Sequence, residues 1–180
     1  MPMRSLVVDD ARVTQLILER ILSSYGECSV AKNGTEAVQV FCEALEAGRG
    51  YDLVCLDMGL PDFGGLEILT KIRALEEQRG GSEENRARVI AITASSDAAT
   101  IKAFTQMGDG YILKPINRER LIRDIVNLGL IAPSAGETQL IGDLVRLCRS
   151  DSLPMKTLAQ LMAEIAGSVG RQGSGGRAVS

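Results

Sequence analysis

Acidic, hydroxyl and amino side chains stand at the ends of the most apolar runs of this sequence. They are Asp9 and Asp10 after 5-SLVV-8, Asp57 after 53-LVCL-56, Thr93 at the end of 89-VIAIT-93, and Lys114 after 110-GYIL-113. Three carboxylates brought together raise one another's pKa, and they stay ionised only with a cation between them. Oxygen ligands with room for water are typical of Mg²⁺, which the sequence therefore predicts at this site.

The same set of groups fits a phosphoryl group. Mg²⁺ and Lys114 would neutralise its oxygens, and Thr93 would donate a hydrogen bond to it. A carboxylate beside the metal can attack phosphorus and form an aspartyl phosphate. We expect Asp57 to be this nucleophile, because a strand holds it rigidly. The turn that follows contains Gly59, Gly64 and Gly65, which allow the backbone to approach the ion.

The elements that must position these groups alternate along the chain. Five short apolar runs, at 5–8, 28–31, 53–56, 89–93 and 110–113, are each followed by a helical pattern. Alternating strands and helices predict an α/β fold with a parallel sheet that is covered on both faces. The carboxyl ends of parallel strands meet at one edge, where ligands bind. We therefore expect the five groups to converge there.

The helical patterns make specific predictions. The first helix is expected from about Ala11 to Ser24. The second is expected to be capped by Thr35, and the last by Asn117. The polar stretch 78–88 predicts a surface loop. The first helix is expected to turn one apolar face to the sheet, made of Val13, Leu16, Ile17, Ile21 and Leu22.

Composition excludes several classes of function. The 180 residues contain no histidine, which removes Ser-His-Asp catalysis, His-ligated zinc and a phosphohistidine carrier. The net charge of −3 argues against broad binding of nucleic acid or anionic membranes. No apolar run approaches the roughly 20 residues of a spanning helix, and the start lacks a signal-peptide pattern. The four cysteines form no CxxC pair, which favours reduced thiols and a cytoplasmic protein.

The chain resembles the receiver domains of two-component response regulators, of the chemotaxis-regulator type. The resemblance covers roughly Met3–Leu128 and implies a flavodoxin-like, doubly wound, five-stranded parallel sheet with strand order 2-1-3-4-5. The pieces that carry it are 6-LVVDD-10, 31-AKNGTEAV-38, 54-VCLDMGLPDFGGLEIL-69, 90-IAITA-94 and 111-YILKPI-116.

The resemblance implies a role for each of the residues named above. Asp57 would be the phosphoacceptor and would share Mg²⁺ with Asp9, Asp10 and the backbone carbonyl of Gly59. Thr93 and Lys114 would contact the phosphoryl group, the Lys114–Pro115 bond would be cis, and Tyr111 would rotate with Thr93 on activation. The departures from the family pattern lie in the turn after Asp57, at Leu60, Phe63 and Gly64.

The resemblance also implies partners. A histidine kinase or phosphotransfer protein would supply the phosphoryl group, and a downstream protein would respond to it. The surface of the fourth helix, fifth strand and fifth helix would switch its contacts and could form a homodimer. No enzymatic output is expected beyond self-phosphorylation and self-dephosphorylation.

The C-terminal region is predicted separately. Residues 1–128 form the expected receiver, 129–137 a linker, 138–169 a helical extension with two amphipathic patterns, and 170–180 a disordered tail. We expect the extension to pack on the switching surface or to extend a dimer interface.

Two alternatives stay open. A minimal DNA-binding segment after residue 128 is disfavoured by its balance of five basic and four acidic residues. A phosphatase with an aspartate nucleophile would share the same chemical groups. It would, however, carry the nucleophile on the first strand, with a second acid two residues later.

Overall fold

Strands and helices alternate along the described part of the chain. The computed structural model describes residues 2–80, 85–94 and 98–132. The strands are β1 Met3–Val8, β2 Gly26–Ala31, β3 Leu53–Asp57, β4 Arg88–Thr93 and β5 Gly110–Leu113. The helices are α1 Arg12–Leu22, α2 Gly34–Glu46, α3 Gly65–Gln78, α4 Ala98–Thr105 and α5 Arg118–Asn127.

The strands form one parallel sheet in the order β2-β1-β3-β4-β5. Every residue of β3 is buried, as its unbroken apolar run requires for a strand covered on both faces. The register pairs Asp57 with Ile92 and Thr93 with Leu113, so that β3, β4 and β5 end at the same edge. The predicted fold class and strand order are confirmed.

A separate core covers each face of the sheet. On one face, α1 and α5 pack on the strands through Leu18, Leu22, Leu121 and Ile125. On the other face, α2 and α3 supply most of the helical contacts, including Phe41, Ile68 and Ile72, and α4 adds Phe104. This division leaves the sheet edge that carries the carboxylates between the two layers.

The predicted inner face of α1 is wrong in part. Ile21 and Leu22 are buried as expected, but Val13, Leu16 and Ile17 are 70%, 48% and 42% exposed. The helix is rotated so that Gln15 and Leu18 join Ile21 and Leu22 on the sheet side. Apolar residues occur on both sides of this helix, so that their spacing alone does not select the buried face.

The caps of two helices can be compared with their predictions. Asn33, and not Thr35, is the N-cap of α2, and its side chain accepts a hydrogen bond from the backbone N–H of Glu36. Thr35 lies inside the first turn. Asn117 caps α5 as predicted and accepts from the backbone N–H of Arg120. The error at α2 arises because two residues with good capping side chains stand two positions apart.

A buried ionic network joins α3 to the loops before β4 and β5. Arg73 is 6% exposed, and its guanidinium contacts Glu76 at 2.8 Å and Asp109 at 3.3 Å. It also donates to the carbonyl oxygens of Ala87 and Met107. The bonds saturate a charge that would otherwise be costly to bury. The network therefore ties α3 to the loop that precedes β5.

The packed unit runs from the N-terminus to Ala132, and both Leu130 and Ile131 pack against the α1/α5 core. The predicted helical extension 138–169, the tail 170–180 and most of the linker lie outside the described residues, as does part of the 78–88 loop. Among the described residues, no helix has the length and apolar character needed to cross a membrane.

Candidate functional site

Three carboxylates converge at the carboxyl edge of the sheet. Asp9 and Asp10 follow β1, and Asp57 is the last residue of β3. One carboxylate oxygen of each lies within 4.8 Å of those of the other two. Asp9 and Asp57 are 0% and 6% exposed, whereas Asp10 is exposed to solvent. The predicted acidic cluster is present, with one side open to water.

Lys114 bridges two of these acids from the neighbouring end of β5. Its Nζ donates to Oδ2 of Asp57 at 2.7 Å and to Oδ2 of Asp9 at 2.9 Å. The backbone N–H of Lys114 donates to the carbonyl oxygen of Thr93, and the peptide bond to Pro115 is cis. The lysine is thus anchored at the strand end with its ammonium group inside the cluster.

The surroundings of Asp9 and Lys114 shift the pKa values of both side chains. Burial raises the pKa of Asp9 and outweighs the opposing effect of its bond to Lys114; the nearby charge of Asp57 raises it further. Partial burial alone would lower the pKa of Lys114. Its hydrogen bonds to Asp57 and Asp9 more than offset that effect, so the pKa of Lys114 is raised. The lysine therefore stays charged at neutral pH.

Backbone hydrogen bonds orient the two buried carboxylates. Oδ1 of Asp9 accepts from the N–H of Ala11, and Oδ1 of Asp57 accepts from the N–H of Gly59, both at 2.9 Å. In each case the other oxygen is turned toward Lys114. Because the residue after Asp57 also bonds to the main chain of β4, through Met58 N–H and Ile92 C=O, the turn begins in a fixed position.

Thr93 and Tyr111 lie on adjacent strands and face the same side of the sheet. Tyr111 pairs with Ala91, and Thr93 stands two residues further along β4, so that both side chains point to the α2/α3 core. Thr93 is 5% exposed. Tyr111 is half-buried, with the guanidinium of Arg120 5.6 Å from its ring centroid. The structure thus brings the two predicted switch residues to one face.

The donor set fits a divalent cation. Within the part of the chain that the structure describes, Lys114 pairs with Asp9 and Asp57, while Asp10 has no cationic partner, so an excess of negative charge remains in the cluster. All donors are oxygens, and the exposed Asp10 leaves space for water ligands, as Mg²⁺ prefers. Gly59, whose carbonyl the resemblance implies as a further ligand, lies two residues after Asp57 and is exposed.

Two residues at the site were missed by sequence reasoning. Gln15 donates from Nε2 to the backbone carbonyl oxygen of Asp9 at 2.6 Å. Asp62, in the turn after Asp57, accepts from the backbone N–H groups of Gly34 and Thr35 at 3.1 Å. A polar residue in a helical pattern is normally predicted to be exposed to solvent. For an acid in a turn, the sequence does not indicate which groups its carboxylate will bond. Only the spacing of Gln15 from Leu18 and Leu22, which places it on their face, carried a signal.

Known proteins resemble this chain over most of the α/β unit. The family model for the response regulator receiver domain matches residues 5–126. Two-component response regulator 24 of Arabidopsis thaliana is 30% identical over 120 residues, which are 66% of this chain and 78% of that protein. Hybrid signal transduction histidine kinase I of Dictyostelium discoideum is 30% identical over 128 residues, 70% of this chain but only 7% of the kinase. The relatives thus differ widely in how much of their length is matched.

Solved structures show the same architecture. A chain in the crystal structure of the CheX-CheY-BeF3-Mg²⁺ complex from Borrelia burgdorferi superposes with a TM-score of 0.58 and 26% sequence identity. The match covers 73% of this chain and 92% of that one.

Proposed function

Because the chain belongs to the response regulator receiver domain family, we propose that it is a Mg²⁺-dependent phosphoacceptor of two-component signalling. Asp57 takes a phosphoryl group from a histidine kinase or phosphotransfer protein, and the modified receiver changes its contacts with a downstream protein. Receiver domains are generally switches and not enzymes. We extend this to the present chain, and we place it in the cytoplasm, where such kinases phosphorylate their partners.

The arrangement of Asp57, Asp9 and Lys114 carries the proposal. Asp57 is held at both oxygens, by the N–H of Gly59 and by the ammonium of Lys114. A carboxylate fixed in this way needs little reorganisation before it attacks. An oxygen of Asp57 forms a bond to phosphorus while the phosphorus–nitrogen bond of the donor phosphohistidine breaks, and the electron pair returns to the imidazole.

The other groups of the site support this transfer. Asp9, Asp10, Asp57 and the backbone carbonyl of Gly59 would hold Mg²⁺, which would supply positive charge that offsets the charge of the phosphoryl oxygens. Lys114 moves from a carboxylate to a phosphoryl oxygen, and the hydroxyl of Thr93 donates to another. Attack of water on the phosphoryl group then returns Asp57 and inorganic phosphate.

The response to phosphorylation runs from Thr93 to Tyr111. Both side chains face the α2/α3 core on adjacent strands, so a shift of Thr93 toward the phosphoryl group opens space for the ring. Arg120 of α5 contacts that ring and also donates to the Tyr111 carbonyl oxygen at 3.2 Å. A movement of Tyr111 would therefore reach the surface of α4, β5 and α5, which we propose as the partner or homodimer surface.

Incorporation of phosphate from acetyl phosphate tests the proposal. Wild-type protein with Mg²⁺ should gain one phosphoryl group, which chelation of Mg²⁺ and the substitution Asp57→Asn should each abolish. Asp124→Asn, on α5 and away from the site, is the matched control and should behave like wild type. Phosphorylated Asp57→Asn would contradict the assigned nucleophile. Repeated turnover of a phosphate ester by wild type would favour the phosphatase instead.

A further inference from the structure

We propose that Gln15 is a positioning residue for the Mg²⁺ site, because it fixes the peptide that joins Asp9 to Asp10. This inference rests on the proposed function, since it concerns the affinity of the same site for the ion. Gln15 lies on α1 and is not one of the acids, the threonine or the lysine of the site. The proposal is based on the short hydrogen bond from this buried side chain to the Asp9 carbonyl oxygen.

Gln15 is a polar side chain where packing favours an apolar one. It is 5% exposed and lies on the sheet side of α1 beside Leu18 and Leu22. An amide buried without partners is costly. Here both ends are bonded, since Nε2 donates to the carbonyl oxygen of Asp9 at 2.6 Å and Oε1 accepts from Arg12 at 3.1 Å. The bond from Arg12 selects the amide orientation that points the N–H group at Asp9.

The position of the carbonyl explains why this bond matters. The side chain of Asp9 is already fixed, by the N–H of Ala11 and by Lys114. Asp10 is exposed, and within the described ranges no hydrogen bond or ion pair holds its carboxylate. Its direction therefore follows from the main chain. The Asp9 carbonyl is part of the peptide group that joins Asp9 to Asp10. By holding this carbonyl, Gln15 restricts rotation of the peptide plane and so the direction in which the Asp10 side chain points.

A space-filling role predicts a different outcome from a positioning role. If Gln15 only fills volume, a side chain of similar shape without hydrogen-bonding groups should leave the ion site unchanged. If it orients Asp10, the same change should weaken Mg²⁺ binding while the core stays packed. Gln15→Met makes this separation, because methionine has a similar length and packs readily in apolar surroundings.

The test is calorimetric titration of the full chain with Mg²⁺, together with its thermal unfolding midpoint in chelator. Gln15→Met should bind Mg²⁺ about tenfold more weakly, the lower end of what loss of an outer-shell partner costs, with its midpoint in chelator kept. Gln39→Met, an exposed glutamine on α2, is the matched control and should bind as wild type does. Equal affinity of Gln15→Met and wild type would overturn the proposal.

A second background shows whether Gln15 acts through Asp10. In Asp10→Asn protein the further change Gln15→Met should have little effect on Mg²⁺ affinity, since residues that act as a unit are not additive. An undiminished tenfold loss in that background would overturn the assigned route.

If Gln15→Met does not fold, Arg12→Met tests the same bond from the exposed side and should weaken binding about threefold; unchanged binding would then count against the proposal. Wild type that binds no Mg²⁺ would instead refute the proposed function.

Discussion

Lys114 bridges the two buried carboxylates of the site. Its Nζ lies 2.7 Å from Asp57 and 2.9 Å from Asp9, two acids that would repel without it. The ammonium contacts the same two carboxylates that are proposed to bind Mg²⁺, so Lys114 and a bound ion would share Asp9 and Asp57 as partners. We therefore expect the charge of Lys114 to affect both the stability of the protein and its response to Mg²⁺.

Lys114→Met should destabilise the protein in chelator and increase its stabilisation by Mg²⁺. Removing one partner leaves buried carboxylates uncompensated. We expect a loss of about 2 kcal/mol, below the range for a fully buried pair, since a quarter of the lysine side chain is exposed. Because the pKa of Lys114 is raised above its ordinary value of 10.5, this contribution is fully present at neutral pH. It is lost only as pH rises through the folded-state pKa.

Denaturant unfolding with and without Mg²⁺ measures both effects. Lys32→Met, at an exposed lysine outside the site, is the control and should match wild type in each condition. Phosphate incorporation should persist in Lys114→Met while the change at the α4, β5 and α5 surface is weakened. An unchanged free energy of unfolding in chelator would show that the two ion pairs contribute nothing.

At the scale of elements, α1 presents apolar residues on two faces. Leu18, Ile21 and Leu22 are buried, whereas Val13, Leu16 and Ile17 are exposed beside the mouth of the site. Exposed arginines, Arg12 and Arg20, flank the second group. Exposed apolar residues that lie together are common at interaction sites, and Val13 lies three residues after Asp10. We therefore predict that a protein donor of phosphoryl groups docks on this face of α1.

Replacement of exposed α1 residues should separate protein donors from small donors. Val13→Ser with Ile17→Ser should slow transfer from a phosphorylated partner protein about tenfold, equivalent to roughly 1.4 kcal/mol of lost docking energy. Phosphorylation by acetyl phosphate should keep its wild-type rate, since the pocket is intact. Gln39→Ser on α2 is the surface control. Equal slowing with both donors would indicate damage to the site and not to docking.

Asp62 connects the turn after Asp57 to the N-terminus of α2. Desolvation acts to raise its pKa, but hydrogen bonds from the N–H groups of Gly34 and Thr35, together with others in the turn, lower the pKa overall. An acid whose pKa is lowered on folding stabilises the protein above its unfolded pKa, and the effect is lost as pH falls through the folded value. The contribution of Asp62 is therefore complete at neutral pH and disappears below its ordinary 3.8.

Asp62→Ala should lower the thermal midpoint at neutral pH, and the difference from wild type should shrink in acid. The N–H groups of Gly34 and Thr35 lose their acceptor in this variant. Asp62→Asn should recover part of the loss at neutral pH, because asparagine also accepts from backbone N–H groups. Melts at neutral pH and near pH 3 measure this, and a deficit that is equal at both pH values would contradict it.

Much of the site follows from the sequence because strand ends in a parallel sheet share an edge. Asp9, Asp57, Thr93 and Lys114 converge from four separate runs, as predicted. The face of α1 was not predictable from spacing, since apolar residues occur nearly all round the helix and the polar Gln15 is buried for a local reason.

At the scale of the whole molecule, charged residues in the interior were beyond sequence reasoning. Arg73 meets Asp109 and the carbonyl of Met107 only because α3 packs beside the loop before β5. These partners stand 34 or more residues away, and local periodicity carries no information on such pairs. The strands, in contrast, are determined by runs of neighbouring apolar residues, and all five lie at the positions that the sequence predicts.

Cys55 offers a probe of global opening. It is fully buried in β3, the central strand, and burial raises the pKa of its thiol far above the ordinary value. Alkylation of Cys55 should therefore require unfolding of the sheet, and ligands that bind the native state should slow it by mass action. Mg²⁺ with beryllofluoride should lower the rate, measured by peptide mass spectrometry after iodoacetamide treatment.

Cys42 is the internal control for this measurement. It is half-buried on α2, and its alkylation should be faster than that of Cys55 and less sensitive to the ligands. Labelling of Cys55 in native protein at the rate of Cys42 would show that the sheet opens locally around β3.

The bond between Lys114 and Asp9 joins residues 105 positions apart, and it spans nearly all of the α/β unit. Closing so long a loop costs chain entropy that only later packing returns. A chain still on the ribosome that has not yet exposed β5 lacks the ammonium that pairs its acids. We therefore expect the ion pairs of Lys114 with Asp9 and Asp57 to form only at the end of synthesis of this unit, so that the acidic cluster of an unfinished chain is left without its ammonium.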